Sequence, residues 1–511
     1  MSNILVLNMG MKSIRSIIFD SEGNKLASSS IPIETALMEE YVTQDPKEWW
    51  DKGCRVIKNT IDELSGMKIE YVTVTTSAAC LICVDKNMNP ISDCMMVSDK
   101  RARTESNEIR KSVPFLSVYE RTGLDMDPYL MIPKALWVKK NEPVTYSQTY
   151  KFLAPNDYLL AKLSDGVCVT DYMNAQKWHY DIDNGVYPEQ LLEEIGISID
   201  KLPQVVSPGE YIGNVSEEVA KLTGLSTDTK IIISTYDAIC SFIGSGVSQE
   251  GEACDISGTV TVFRTVAKER IKQKLTGIQQ LPYKEAGINI LGGSNNMGGS
   301  LIEWVKQCYY QNEELPYERM EKDAKEAGNG AGGLIFLPYL LGERAPIWDY
   351  DARGVFFGLE RTHTRKEMTR AVFESTGYID LDMINSIEQN GGKVDKIRIS
   401  GGLARIGIIS QIKADITGKE IEVLDEFETT ASGAAMIALF GQKEFNGLNE
   451  ASEAFARVRM IIRPNQKAHE QYMELFKLYK ETYQTLKPLF PKRMAIVSKL
   501  IGDKKIKIEN L

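Results

Sequence analysis

Residues 4–20 read ILVLNMGMKSIRSIIFD, two apolar runs joined by a short polar stretch around Gly10. This pattern predicts a strand, a tight glycine-containing turn and a second strand. The backbone N–H groups of such a turn can bind an anion. The turn carries Asn8 and Lys12, and the next carboxylate, Asp20, lies beyond the second strand. The stretch therefore poses two questions: whether the turn binds phosphate, and which residue handles a metal ion.

A similar arrangement returns near the middle of the chain. The stretch SQEGEACDISGTVTVFRTV (248–266) again predicts strand, turn and strand, with Gly258 and Thr259 at the bend. One hairpin opening each half indicates an ancient duplication. Strands interleaved with helices predict an α/β architecture with mixed sheets. We therefore expect two domains that bound a cleft, each wall of which offers a phosphate-facing hairpin.

The length of 511 residues also requires at least two domains. We predict an N-terminal domain over 1–246, a C-terminal domain over 247–445, and a helical extension with a basic tail over 446–511. In the second half, apolar spacing predicts a helix from about Lys366 to Gln389. We interpret the basic tail as a solvated or packed end rather than a binding arm.

The composition argues against several classes of function. The chain is 43% hydrophobic and 25% charged, as is usual for globular proteins. Its formal net charge of −10 argues against a nucleic-acid partner. No stretch approaches the roughly 20 apolar residues of a membrane helix, so we expect no membrane partner. The first apolar run is short and resembles no signal peptide, so we expect a cytoplasmic location.

Cysteine and histidine usage narrows the chemistry further. Eight cysteines in 511 residues form no disulfide pattern, which suits the reducing cytoplasm. Cys80 and Cys83 form a CxxC, but the segment is apolar and strand-like. We interpret both as buried small side chains rather than as a zinc or redox site. Three histidines are too few for a His-rich metal site and nearly exclude a Ser-His triad.

Three glycine clusters in the second half point to nucleotide binding. They comprise Gly258-Thr259, Gly298-Gly299-Ser300 and Gly401-Gly402. Each stands at a predicted strand end or helix start, where unpaired N–H groups can bind phosphate and a nucleotide ring can approach the backbone. Together with the first hairpin, these clusters favour a nucleotide ligand over a purely structural role.

The candidate general base is Asp237, in the stretch IIISTYDAICSFIGSG (231–246). It follows a β-branched strand and precedes small residues, so we expect it at the end of a strand facing the inter-domain cleft. A carboxylate there can accept the proton of a hydroxyl that attacks a γ-phosphate. The local sequence equally allows Asp237 to be the N-cap of the next helix.

A series of segments resembles landmarks of the FGGY carbohydrate kinases, in the same order, along nearly all of residues 1–445. Two resemble the family's signatures closely: YLMIPKALWVKKNEP (129–143) and GVFFGLERTHTRKEMTRAVFE (354–374). The others are QDPKEWW (44–50), DISGT (255–259), GERAP (342–346), SGGLA (400–404), QIKADITGKEI (411–421) and ETTASGAA (428–435). On this resemblance, the chain is identified as a member of the family.

The resemblance implies two ribonuclease H-like domains of the actin/Hsp70 ATPase type, with the active site in an inter-domain cleft. It implies a kinase that uses ATP and Mg²⁺ to phosphorylate a hydroxyl of a small sugar, sugar acid or polyol. Asp237 stands where the family has its catalytic base. The implied nucleotide and phosphate contacts are Gly10, Lys12, Ser13, Gly258, Thr259, Gly299, Glu303, Gly401 and Gly402. The expected partners are a small carbohydrate and ATP, and the sequence leaves open whether two copies form a homodimer.

Substrate choice is expected to depend on the first domain. Where xylulose kinases carry Gln-Met-His, this chain has Ser77-Ala78-Ala79, which argues against D-xylulose itself. The Arg-Glu pair of glycerol kinases is also missing. Asp99 and Arg101 match an Asp-x-Arg pattern of the family, in which Asp99 either hydrogen-bonds substrate hydroxyls or is structural. The predicted substrate contacts are Ser77, Ala78, Asp99 and Asp237.

The first hairpin departs from the family pattern. The family has Asp-x-Gly-Thr, whose Asp helps to hold Mg²⁺ through water, whereas this chain has Asn8 and Met11 at those positions. Asn8 is therefore expected to contact the metal only weakly and through water. Lys12 adds a cation that either pairs with a phosphate or points into solvent.

Two functions follow from these residues. The first is a working carbohydrate kinase with an altered phosphate and metal arrangement. The second is a catalytically weak paralogue that binds sugar or nucleotide as a regulatory or scaffold protein. Asp237 and the complete glycine set favour the kinase, because a protein that only binds has no evident need for a general base.

Overall fold

The computed structural model describes residues 2–38, 41–64, 66–258, 260–271, 275–425 and 428–501. The chain folds into two compact units that are not continuous in sequence. Unit 1 comprises Met1–Gly246, Pro282–Ala286 and Glu428–Phe455, and unit 2 comprises Val247–Leu281, Gly287–Phe427 and Ala456–Leu511. The predicted domains are continuous stretches of sequence, whereas the units are defined by contacts between residues. Glu428–Phe455, which overlaps the end of the predicted C-terminal domain, therefore belongs to unit 1.

Strands and helices alternate along the chain. The strands are β1 (Asn3–Met9), β2 (Ser13–Asp20), β3 (Lys25–Pro32), β4 (Ala36–Met38), β5 (Tyr41–Gln44), β6 (Tyr71–Thr76), β7 (Ile82–Val84), β8 (Cys94–Met95), β9 (Lys151–Leu153), β10 (Val169–Asp171), β11 (Gln204–Val206), β12 (Tyr211–Asn214), β13 (Lys230–Ile232), β14 (Gly251–Ser257), β15 (Thr261–Ala267), β16 (Gln279–Tyr283), β17 (Ile288–Asn295), β18 (Ile335–Leu337), β19 (Val355–Phe357), β20 (Val394–Gly401), β21 (Glu420–Leu424) and β22 (Val458–Ile462). The helices are α1 (Pro46–Glu63), α2 (Arg103–Ile109), α3 (Val113–Thr122), α4 (Met131–Asn141), α5 (Pro143–Gln148), α6 (Pro155–Leu163), α7 (Tyr172–Ala175), α8 (Glu189–Glu194), α9 (Glu217–Thr223), α10 (Asp237–Gly244), α11 (Gly299–Tyr309), α12 (Pro316–Ala327), α13 (Arg365–Gln389), α14 (Gly407–Thr417), α15 (Thr429–Gly441), α16 (Leu448–Phe455), α17 (Gln466–Leu486) and α18 (Leu489–Ile501). This interleaving confirms the predicted α/β architecture.

The main sheet of unit 1 has the strand order β12-β13-β6-β1-β2-β3. β1 and β2 pair in antiparallel, with Asn8 opposite Arg15, which confirms the strand, turn and strand predicted for residues 4–20. β6 lies parallel to β1, and β13 lies parallel to β6. Because parallel strands end at the same edge of a sheet, the first hairpin and the ends of β6 and β13 lie along one edge.

The core of unit 1 holds the loops of that edge in place. Leu5 and Leu7 of β1 are fully buried and pack in one cluster with Trp49 of α1. α15 contacts β1 and β6, and α10 packs closely on α15. A Cβ on Gly433 would lie 1.7 Å from the Cys240 carbonyl oxygen, so the close approach of α10 and α15 requires glycine there. The position of α10 is therefore set by helix packing.

Unit 2 is built on a sheet with the strand order β16-β17-β15-β14-β20-β21-β22. β14 and β15 form the second hairpin, with Ser257 opposite Thr261. β20 lies parallel to β14 and places Gly401 opposite Ser257. The helix predicted from about Lys366 is confirmed as α13, which begins with a capping box at Thr364.

Cys80 and Cys83 are buried free thiols that pack in two different core clusters, which confirms that they are buried small side chains. Among the described residues, no helix is both long and apolar enough to span a bilayer. Within the same ranges, no three His, Cys, Asp or Glu side chains gather into a group that could hold a metal ion.

Candidate active site

Asp237 is the first residue of α10 and follows the short loop after β13. Its Oδ2 accepts a hydrogen bond from Ser77 Oγ at 3.1 Å, and its Oδ1 accepts the backbone N–H of Ala238 at 2.7 Å. Tyr236 occupies the N-cap position, so Asp237 is not the cap that the sequence allowed. The helix dipole favours a carboxylate in the first turn. Asp237 is half-buried, which leaves part of it accessible to a ligand.

The loop that leads into α10 is held by hydrogen bonds from other elements. Thr235 Oγ1 donates to Asp171 Oδ1 at 2.8 Å. Thr75 Oγ1 donates to the Thr235 carbonyl at 3.0 Å, and Ser234 Oγ donates to the Val74 carbonyl at 2.6 Å. These bonds tie the loop to β6 and to the residue before α7, so the start of α10 is fixed from two sides.

The carboxyl groups of Asp171, which holds this loop, and of Asp157 are both buried. Asp171 caps α7 by accepting the N–H groups of Met173 and Asn174. Burial raises the pKa of Asp171 to about 7 and that of Asp157 to about 8. Each has one carboxylate oxygen without a hydrogen-bond partner in the described part of the chain. Each carboxyl group therefore holds a proton over part of the neutral pH range.

The tip of the first hairpin offers hydrogen-bond donors. The Gly10 N–H donates to the Ser13 carbonyl at 3.0 Å, which closes the turn. The Lys12 side chain is exposed, and no ion pair joins it to any residue that the structure describes. Asn8 is 2% exposed, and its Nδ2 has no hydrogen-bond partner in the same ranges. The tip thus presents the Lys12 ammonium, whereas the Asn8 amide is buried in β1.

Ser77, Ala78 and Ala79 follow β6 and form the predicted substrate segment. Ala79 has φ +58°, in the left-handed region that is unfavourable for a residue with a Cβ. The Lys134 ammonium donates to two carbonyl oxygens, one of them that of Ala79, at 2.7 Å. Lys134 is fully buried, and this burial lowers its pKa. The structure therefore brings Ser77 to Asp237, while Lys134 holds the backbone that follows.

Asp99, another predicted substrate contact, is fully buried. Its oxygens accept the N–H of Val42 at 2.8 Å and N–H groups of Arg101 at 2.7 to 3.2 Å. The Arg101 guanidinium also lies 3.9 Å from the centre of the Tyr41 ring and 4.9 Å from that of Trp137. These contacts favour a structural role for Asp99 over hydrogen bonding to substrate hydroxyls.

Lys177 lies close to the loop that carries Asp237. It belongs to the 3₁₀ turn Gln176–Trp178, which follows α7, and its Nζ lies 4.7 Å from the centre of the Tyr236 ring. Lys177 is half-buried, whereas Tyr236 is only 5% exposed. No carboxylate of the described residues lies within 4.0 Å of Nζ. The sequence interpretation did not single out this lysine.

In unit 2, predicted nucleotide contacts from different segments lie together. The Gly299 N–H donates to the Gly258 carbonyl at 2.7 Å, and the Gly402 N–H donates to the Ser257 carbonyl at 2.8 Å. Gly401 has φ +89°, and a Cβ there would lie 2.4 Å from the Ser257 carbonyl oxygen, so this position requires glycine. The second hairpin, the start of α11 and the end of β20 are therefore in direct contact.

The two other predicted nucleotide contacts of unit 2 are Glu303 and Thr259. Glu303 lies on α11, the helix that Gly299 begins. Its carboxylate accepts the Lys306 ammonium at 2.6 Å and the Tyr317 hydroxyl. Thr259 lies outside the described residues.

A buried triad of charges supports the Gly258 turn. Ser257 Oγ donates to Asp255 Oδ1 at 2.8 Å. The Lys413 ammonium donates to the other Asp255 oxygen and, at 2.8 Å, to Asp380. Burial opposes the charge of Lys413, but the two carboxylates raise its pKa above the usual value. Burial, together with the charge of Asp255, raises the pKa of Asp380, and the Lys413 ammonium opposes this rise.

The GERAP segment holds the loop before α11. Glu343 Oε1 accepts the N–H groups of Asn296 at 2.6 Å and Arg344 at 2.7 Å. Arg344 Nε donates to Asn296 Oδ1 at 2.7 Å. Burial raises the pKa of Glu343 to about 7. These hydrogen bonds fix the backbone that leads to Gly299.

Comparison with known proteins identifies related sequences along most of the chain. Residues 3–244 match the N-terminal domain of the FGGY family of carbohydrate kinases, and residues 256–441 match its C-terminal domain. A xylulose kinase from Staphylococcus epidermidis is 28% identical to this chain, over 95% of this chain and 97% of that protein. The match therefore spans both units.

Solved structures share the fold. A ligand-bound xylulose kinase from Lactobacillus acidophilus has a TM-score of 0.89 and 27% identity, covering 96% of this chain and 100% of its own. A gluconate kinase from the same organism has a TM-score of 0.88 and 27% identity, covering 96% of this chain and 99% of its own. The predicted actin/Hsp70-type ATPase fold is confirmed. The chain therefore belongs to the FGGY family of carbohydrate kinases.

Proposed function

We propose that this chain transfers the γ-phosphate of ATP to a hydroxyl of a small sugar, sugar acid or polyol, with Asp237 as the general base. The observation that carries the proposal is the half-buried Asp237 carboxylate, which Ser77 Oγ and the Ala238 N–H hold at the start of α10. Membership of a family of carbohydrate kinases supports the reaction type.

Asp237 acts as a base because its carboxylate can accept a proton at the point of attack. The substrate hydroxyl donates its proton to Asp237 while its oxygen attacks the γ-phosphorus. The new oxygen–phosphorus bond forms as the bond from the γ-phosphorus to the bridging oxygen breaks, and ADP leaves. Ser77 orients the carboxylate, and the bond from Thr235 to Asp171 holds the loop, so the base is in position before the substrate binds.

The phosphate groups of ATP are proposed to bind at the glycine turns of both units. The proposed contacts are Gly10, Lys12 and Ser13 in unit 1 and Gly258, Thr259, Gly299, Glu303, Gly401 and Gly402 in unit 2. The exposed Lys12 ammonium supports this role, because no described carboxylate pairs with it and an ammonium group is a strong donor to phosphate oxygens. Backbone N–H groups of the turns supply further donors.

Mg²⁺ bound with ATP would neutralise charge on the transferring phosphate. Asn8 suits only a weak contact to that ion, because its amide is neutral and its unpaired atom is the donor Nδ2, whereas a water bound to Mg²⁺ needs an acceptor. Asp20 does not replace the missing carboxylate. It lies at the far end of β2 and accepts the N–H groups of Glu22 and Asn24. We therefore expect a weaker affinity for Mg²⁺ than a carboxylate at position 8 would give.

The relatives support more than one type of substrate. They include proteins named xylulose kinase and gluconate kinase, so ketoses and sugar acids both come into consideration. The short side chains of Ser77 and Ala78 support a substrate other than D-xylulose. Asp99 is proposed to shape the segment around Tyr41 rather than to touch the substrate. The free cysteines suit a reducing cytoplasm, which is the proposed location.

The proposal is tested by ADP release from ATP in the presence of ketoses, polyols and sugar acids. Asp237→Asn keeps the shape of the side chain but removes the base, so kcat is expected to fall roughly 10²–10⁴-fold with ATP affinity unchanged. Asp228→Asn, at an exposed position of unit 1, is the matched control. Equal kcat for the wild type and Asp237→Asn would refute the role of Asp237. ATP binding without turnover across the panel would favour the weak paralogue.

A further inference from the structure

Lys177 is a half-buried cation of unit 1 that forms no ion pair with a described residue. Its Nζ lies over the Tyr236 ring, and no described carboxylate lies within 4.0 Å. Two other cations near the substrate segment are already engaged. Arg101 is bound to Asp99, and Lys134 donates to two carbonyl oxygens. Lys177 thus keeps its ammonium donors for a ligand.

Lys177 is linked to the loop that precedes the proposed base. The segment that begins at Asp171 and ends with the 3₁₀ turn is attached to the loop before α10 at two points. Asp171 accepts the Thr235 hydroxyl at 2.8 Å, and Lys177 covers the ring of Tyr236. Asp237 is the next residue. The ammonium therefore packs on the residue directly before the base.

The contact with Tyr236 does not by itself account for a lysine at this position. A cation over an aromatic ring contributes only about 0.5–1 kcal/mol at an exposed site. An uncharged side chain of similar length would make the same apolar contact with the ring as the methylene groups of lysine do. Ser77, which contacts Asp237, and Ala78 carry no charge that would attract or repel an anion. An anionic group on the ligand would give the ammonium the partner that the protein does not.

We infer that Lys177 binds the carboxylate of a sugar acid whose hydroxyl is presented to Asp237, so that the preferred substrate class is the aldonates and related sugar acids. This inference rests on the proposed kinase function. Lys177 has a binding role here and takes no part in proton transfer. A neutral sugar or polyol of the same length would leave the ammonium in contact with water and would bind more weakly.

A matched pair of ligands tests the inference on the wild-type protein. D-gluconate and D-glucitol have the same carbon chain, and the carboxylate of the first is a hydroxymethyl group in the second. By titration calorimetry without ATP, we expect D-gluconate, or another sugar acid in a panel with its matched polyol, to bind at least roughly tenfold more tightly. The preference is expected to shrink at high salt, because screening weakens the ion pair.

Variants separate the charge from the position. Lys177→Met keeps an apolar chain over Tyr236 and is expected to lower the affinity for the sugar acid roughly tenfold, with the polyol unaffected. Lys177→Arg is expected to keep the preference. Lys162→Met is the control, because Lys162 is also half-buried and lies 5.4 Å from the centre of the Trp50 ring.

The outcomes distinguish the inference from the proposed function. The inference is overturned if no sugar acid binds better than its matched polyol, or if Lys177→Met weakens both ligands equally. Efficient phosphorylation of neutral sugars, unchanged in Lys177→Met, overturns the inference and leaves the kinase function standing. Sugar-acid binding that depends on Lys177, without ADP release from any compound, supports the inferred site and overturns the kinase function.

Discussion

Lys413→Met removes the cation that stands between Asp255 and Asp380, and we expect it to destabilise unit 2 strongly. All three side chains are buried, and the ammonium donates to both carboxylates. Breaking a buried ion pair by removing one partner costs about 3–5 kcal/mol. Loss of two charge-assisted hydrogen bonds, at about 1.5–3 kcal/mol each, gives a similar figure. The methionine fills most of the space, so little of the cost comes from a cavity.

The assay is scanning calorimetry with and without ATP. For a unit of this size, about 2–4 °C are lost per kcal/mol, so we expect a drop in Tm of roughly 6–20 °C. ATP affinity is also expected to fall, because Asp255 holds Ser257 at the Gly258 turn. Asp380→Asn added to Lys413→Met is expected to recover part of the Tm, since only one unpaired carboxylate is then left.

Lys419→Met is the matched control for this experiment. Lys419 donates to the Val394 carbonyl and pairs with Glu388 at 3.3 Å, but it lies nearer the surface of the same unit. We expect it to cost no more than about 1 kcal/mol. A Tm for Lys413→Met equal to that of Lys419→Met, or no recovery in the double variant, would show that the Lys413 ammonium does not stabilise the two carboxylates.

Three further predictions concern unit 1. Asp171→Asn keeps an acceptor for Thr235 but cannot ionise. Because burial raises the folded pKa of Asp171 to about 7, above its usual value of 3.8, the wild type loses stability as pH rises between these values. The Tm of Asp171→Asn relative to the wild type is therefore expected to rise from pH 4 to pH 8, and a constant difference would contradict the buried acid. Asn8→Asp is expected to lower the Mg²⁺ concentration for half-maximal rate several-fold, and no change would show that Asn8 lies away from the metal. Ser77→Ala removes one hydrogen bond to Asp237 and is expected to lower kcat roughly tenfold or less without changing Tm. A clear fall in Tm would show that Ser77 has a structural role instead.

Short stretches of sequence were enough to predict several individual strands and helices. The alternation of residues 4–20 identified β1 and β2, and apolar spacing identified α13 from about Lys366. The β-branched run before Asp237 predicted a residue just beyond a strand, and the structure adds that it begins α10 with Tyr236 at the N-cap. These features depend on neighbours in the chain, so one sequence suffices to predict them.

The residues that sequence reasoning missed act across long separations. Lys134 reaches the Ala79 carbonyl, and Lys413 reaches Asp255, in each case from a different segment of the chain. Lysine is usually exposed, so periodicity gives no reason to place it in a core. Asp171 did carry a local signal, an aspartate directly before a short helix, but its bond to Thr235 did not. The packing of Glu428–Phe455 with unit 1 is likewise a long-range event.

Phosphoryl transfer from ATP to a carbohydrate hydroxyl, with Asp237 as the base, can be followed by observing the product itself. The most direct measurement is ³¹P NMR of a reaction with ATP, Mg²⁺ and a panel of sugar acids, ketoses and polyols, run with the wild type and with Asp237→Asn at equal ATP occupancy. We expect a sugar phosphate signal that grows with ADP for the wild type and grows at least roughly 10²-fold more slowly for Asp237→Asn. Equal rates of sugar phosphate formation by the two proteins, or no sugar phosphate from the wild type with any compound, would contradict it.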